Sequence, residues 1–155
     1  MKRRLLFLIG CFFISSEVVA QGDPLPYAKV NFVIVQSTKN YTAAKATALS
    51  ASQKLNCKLD LRGLKPHKKN GLTFSKGDCE NEGGYPCYIA RGRYDAGEYV
   101  SIEWSDAITG FAKGYYVVII SSGDAELSKA SLKKAKPFFK NAYSKSAEVY
   151  VGCMH

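Results

Sequence analysis

Two stretches of this chain repeat one pattern, and the repeat limits the fold more than any other feature. Residues 32–38 read Phe32-Val33-Ile34-Val35-Gln36-Ser37-Thr38, and residues 116–122 read Tyr116-Val117-Val118-Ile119-Ile120-Ser121-Ser122. Both runs are β-branched and apolar, the composition of a buried strand. Each leads into a helical period. After the first, Thr38-Lys39-Asn40 offers a cap, and Tyr41, Ala44, Ala48, Ala51 and Leu55 fall on one face, with Lys45, Ser52 and Gln53 off it. After the second, Gly123-Asp124 turns the chain. Leu132, Ala135, Phe139 and Ala142 then share a face, with Lys129, Lys133, Lys136 and Lys140 elsewhere. Pro137 has no amide hydrogen, so it kinks that helix or restarts it. A short strand is expected behind each helix, at residues 58–62 (Leu59 and Leu61 inward) and 147–152. Duplicated βαβ-like units with antiparallel pieces between them predict an α+β sandwich, two helices on one face of a mainly antiparallel sheet.

The other face is expected to be open to solvent. By alternation it carries Lys58, Asp60, Arg62, Tyr99, Ser101, Glu103, Glu148 and Tyr150. Residues 85–105 (YPCYIARGRYDAGEYVSIEWS) predict an inserted β-hairpin. Val100, Ile102 and Trp104 point one way, and Tyr99, Ser101, Glu103 and Ser105 the other. Asp95-Ala96-Gly97 supplies the turn. Residues 63–84, with Pro66, Lys65, His67, Lys68 and Lys69, predict a long surface excursion with one short strand at 72–74. The lysines there are either a solvated turn or an anion contact. Residues 106–113 form a polar connection.

The start of the chain bears on location. Lys2-Arg3-Arg4, an apolar run over residues 5–14 and Val18-Val19-Ala20 make a secretory signal peptide cut after Ala20. About ten apolar residues are too few for a stable span, so the mature chain is expected to hold no transmembrane segment. Leu8-Ile9-Gly10-Cys11 supports a rival reading, a lipobox with lipidation at Cys11. Residues 21–155 then form one domain, periplasmic or secreted, with four cysteines and two expected disulfides. Three pairings exist. Cys79 with Cys87, close together across Gly83-Gly84, is favoured, leaving Cys57 and Cys153 to clip the sheet.

Chemistry is sparse. His67 lies in the lysine loop and His155 ends the chain, so neither is placed as a base for a nucleophile. No metal-binding spacing, phosphate loop or other cofactor motif occurs, and a non-catalytic protein is expected. Removing residues 1–20 lowers the formal charge from +9 to +7, which favours anionic partners such as envelope polymers. A basic sheet with aromatics would also suit RNA, but secretion argues against a nucleic acid. Arg91, Arg93, Tyr94, Tyr99, Ser101 and Glu103 are the expected ligand-binding residues, because tyrosine faces stack on sugar rings and guanidinium groups donate to carboxylates.

VNFVIVQSTKNYTAAKATA resembles the opening strand and helix of SPOR domains, the sporulation-related repeat of bacterial envelope proteins. GYYVVIISSGDAELSKASLKKAK is similar to the second unit of that repeat, and FFKNAYSKSAEVYVG to its closing passage. In the first strand Ile34 stands at the family's glutamine and Gln36 at its glycine, while Ser37 carries over. The resemblance implies a ferredoxin-like βαββαβ fold. It also implies binding of peptidoglycan glycan strands stripped of stem peptides. The alternative function is an envelope inhibitor or immunity protein that docks on an enzyme or toxin, with the hairpin tip at Asp95 as a plug.

Overall fold

A computed structural model describes residues 26–152. The expected signal segment, Cys11, Cys153 and His155 lie outside the described residues. Among those described, no helix is long and apolar enough to cross a membrane.

The elements are β1 (Tyr27–Thr38), α1 (Tyr41–Leu55), β2 (Lys65–His67), β3 (Gly71–Thr73), α2 (Lys76–Cys79), β4 (Gly97–Trp104), β5 (Tyr116–Gly123), α3 (Ala125–Ala135) and β6 (Tyr143–Tyr150). The main sheet has order β4-β5-β1-β6, with every neighbour antiparallel. Setting aside the insertion between α1 and β4, this is a ferredoxin-like βαββαβ frame.

Local chemistry explains both long helices. The Asn40 side chain accepts from the Ala43 amide at 3.1 Å and starts α1, while Asn56 ends it in the left-handed region. Ala44, Ala48, Ala51 and Leu55 are buried as expected, and the small side chains let the helix lie close on the sheet. Asp124 caps α3 through the Leu127 amide at 2.8 Å. The helix stops at Ala135, two residues before Pro137. Strand β6 starts four residues earlier than the sequence suggests.

Two cores sit on opposite sides of the sheet. Val33, Val35, Val100, Ile102, Val118 and Ile120 pack under the helices. Val30, Phe32, Ile34, Val117, Ile119 and Val149 pack on the other side beneath Ile108 and Phe111. The expected open face is therefore covered, by residues 105–115 and by a strap that includes Ala90 and Gly92. Gly92 lies so close that a Cβ there would sit 3.1 Å from Val30.

The predicted hairpin across Asp95-Ala96-Gly97 does not form. Each edge of β4 has room for one partner, and both are taken. β5 pairs with one edge. On the other, the Val100 amide donates to the Lys58 carbonyl at 2.7 Å, and the Asp60 amide to the Val100 carbonyl at 2.8 Å. That bridge is all that remains of the strand expected at 58–62. The inserted hairpin is instead β2–β3, with β3 close to the strand expected at 72–74.

Cys79 and Cys87 form the favoured disulfide. The second expected pair, Cys57 with Cys153, lies outside the described residues because Cys153 does; Cys57 is half-buried, and burial pushes its thiol pKa up.

Candidate functional site

The six residues expected to bind a ligand do not share a surface. Arg91, Ser101 and Glu103 are fully buried. Strand β4 carries one extra residue against β5 between Glu98 and Ser101, a bulge that interrupts the ladder. The Arg91 guanidinium fills that gap. It donates to the carbonyls of Gly97 (2.9 Å), Tyr99 (2.9 Å) and Ile119 (3.1 Å), and to the hydroxyls of Ser101 (2.9 Å) and Ser122 (3.0 Å). It also lies 3.5 Å from the centre of the half-buried Tyr99 ring. Burial pulls its pKa below the usual arginine value.

Beside it runs a chain of charges. Glu103 accepts from Arg62 at 2.8 Å and from the Tyr88 hydroxyl. Arg62 also pairs with Asp95 at 3.0 Å, and Asp95 accepts from the Tyr99 hydroxyl at 2.5 Å. Asp95 is thus drawn inward, away from the role of a protruding plug. Burial pulls the Arg62 pKa down, but Glu103, Tyr88 and Asp95 together leave it raised. Burial and Glu103 push the Tyr88 phenol well up, so it stays protonated and donates. Arg93 is held between Tyr94 and Tyr150, 4.7 and 5.0 Å from their ring centres, and donates to the Gly152 carbonyl. Tyr94 is exposed beside it. These contacts knit the strap to the sheet.

A groove opens instead around Trp104, at the end of β4. One cleft of about 380 Å³ is lined by Lys39, His67, Lys68, Lys69, Trp104 and Tyr116. A second, of about 420 Å³, includes Lys69, Asn70, Pro86, Tyr88, Trp104 and Asp106. Trp104 and Lys69 belong to both, so the clefts adjoin. The indole packs on Tyr116 with ring centres 5.0 Å apart, and Tyr116 on Tyr41 at 5.4 Å.

The β2–β3 hairpin carries its lysines here because of Gly71. That residue lies flat on the indole, where any Cβ would stand 2.0 Å from a ring carbon. The Tyr116 hydroxyl donates to the Gly71 carbonyl at 3.2 Å. His67 supports the turn, its Nδ1 accepting from the Lys69 and Asn70 amides at 3.3 and 3.2 Å.

Comparison with protein-family models, curated proteins and solved structures returns no match. The groove therefore rests on its own chemistry. Lys39, Lys68 and Lys69 are exposed cations around a half-buried indole, an arrangement that can neutralise carboxylates beside an aromatic floor. The sequence offered two signals for it, the lysine cluster and the single tryptophan. Neither showed that they meet.

Proposed function

We propose that this chain is an exported, non-catalytic binding module that holds an anionic glycan strand in the groove around Trp104, with peptidoglycan glycan as the ligand. The observation that carries this reading is one indole shared by two adjoining clefts with lysines on their rim. Glycan strands stripped of stem peptides present sugar rings for stacking and lactyl carboxylates for the lysine ammonium groups. The ferredoxin-like frame supports the SPOR resemblance, and the net positive charge favours an acidic polymer. The ligand's place moves from the covered sheet face to the rim of the inserted hairpin.

Pull-down on purified sacculi, with and without amidase treatment, tests the reading. The protein is expected to be retained, more strongly after amidase exposes bare glycan. Lys68→Glu with Lys69→Glu should weaken retention about ten-fold or more, since reversing two contacts removes over ~1.4 kcal/mol. Both lysines are exposed, so thermal melting should be unchanged. No retention on either preparation, or retention indifferent to the two lysines, would defeat the proposal.

A further inference from the structure

We propose that the lysine-ringed turn after α3 docks this domain on an anionic lipid bilayer. Pro137 ends the helix, and the two phenylalanines that follow face opposite ways. Phe139 packs against the helix-side core beneath Lys54, whose Nζ is 5.6 Å from the ring centre. Phe138 is 50% exposed. Lys136 and Lys140 bracket it in sequence, and Lys54 joins them from α1.

The surrounding charge is of one sign. Residues 127–144 contain five lysines (129, 133, 134, 136 and 140) and no acidic residue. Among the described residues, none of these lysines takes part in an ion pair. Two acids lie along α3 rather than at the turn. Glu98 accepts from the Ser131 hydroxyl at 2.6 Å, and Glu126 sits in the first turn of α3, at the far end of the helix from this turn.

A protruding phenyl ring inside a ring of cations without acidic partners matches the polarity of a membrane surface. The ring enters the headgroup boundary, the ammonium groups meet phosphates, and the lysine stems lie along the apolar layer. An acidic polymer or protein would satisfy the lysines but would need a recess to shelter Phe138. A bilayer needs none. This surface is independent of the Trp104 groove. Lys39 precedes α1 and Lys54 lies in its last turn, so the two sites stand at opposite ends of a helix about 22 Å long.

The test uses the chain from residue 21 onward, which keeps every element among the described residues and is free of the apolar run at 5–14. It is expected to co-sediment with phosphatidylcholine vesicles that contain phosphatidylglycerol, and not with phosphatidylcholine alone. Lys133→Glu, Lys134→Glu and Lys136→Glu together should cut binding by at least roughly five-fold per lysine. With Phe138→Trp, emission should shift to the blue on vesicle addition and be quenched by lipids brominated in their tails. This is read as the difference from the parent, whose Trp104 also emits. The proposal is overturned by any of three results: no co-sedimentation, binding indifferent to the lysine reversals, or difference emission from the Phe138→Trp variant unmoved by bound vesicles. The last would mark a purely electrostatic contact.

Discussion

Replacing Arg91 with alanine removes five hydrogen bonds at once, to three backbone carbonyls and two serine hydroxyls at the β4 bulge. A bond from a charged donor contributes about 1.5 kcal/mol at the lower end, so five contribute about 8 kcal/mol. Against this, removing the side chain recovers the several kcal/mol spent in taking a guanidinium out of water. The expected net loss is about 3–5 kcal/mol, a large share of the ~5–15 kcal/mol that holds a domain of this kind together. Urea unfolding followed by circular dichroism should show the midpoint falling by roughly 2 M, for an m of about 2 kcal/mol per M. Arg91→Lys should fall between wild type and alanine, because one ammonium cannot span carbonyls on two strands. If alanine shifts stability by less than about 1 kcal/mol, the guanidinium does not hold the strap, and the bulge must be stabilised by something else.

Two further outcomes follow from neighbouring contacts. The Tyr88 and Tyr99 phenols both donate to carboxylates and have raised pKa values, mainly through burial. Unfolded tyrosine ionises near pH 10, about where the unfolded state starts losing protons that the folded state keeps. Their contribution is therefore full below about pH 10 and lost as pH rises towards the folded values. Urea midpoints measured from about pH 8 to 11 should fall at the alkaline end, and less steeply with Tyr88→Phe and Tyr99→Phe combined; a midpoint that rises there would contradict the assignment. The Cys79–Cys87 bond closes a short loop. Replacing both cysteines with alanine should cost about 2.5 kcal/mol. Adding a reductant to the wild type should reproduce that loss, and a variant as stable as the oxidised protein would refute it.

The frame of the fold was legible because its signals are periodic. Alanines at helical spacing marked the buried face of α1, and β-branched runs marked β1 and β5. The same runs also held the clue to what alternation alone got wrong. Phe32, Val33, Ile34 and Val35 are consecutive and all buried, as are Val117 to Ile120. A strand wet on one side alternates, so consecutive apolar residues require cover on both sides. The cover itself has no period. Ile108 and Phe111 lie in a stretch that reads as polar, and Ala90 in one that reads as a strand.

Nothing in the sequence around Arg91 signals its burial. Arginine is normally exposed, and its acceptors come together only once the bulge exists. Asp95-Ala96-Gly97 carries turn chemistry, yet Asp95 spends its carboxylate on Arg62, Tyr99 and the Gly92 amide. For the groove, lysines and tryptophan could each be read from the chain. Their meeting depends on Gly71 lying against an indole more than thirty positions away, which no local pattern encodes.

The strap over the back of the sheet makes the insertion inseparable from the frame. Pruning residues 56–96 to a tight connection would lift Ala90 and Gly92 off the back of the sheet and bare part of Val30 and Phe32, leaving Ile108 and Phe111 as the cover there and a greasy patch prone to stick to its own kind. It would also remove the lysine hairpin. Stability and recognition are thus written into one continuous piece of chain, and change in that piece must satisfy both at once.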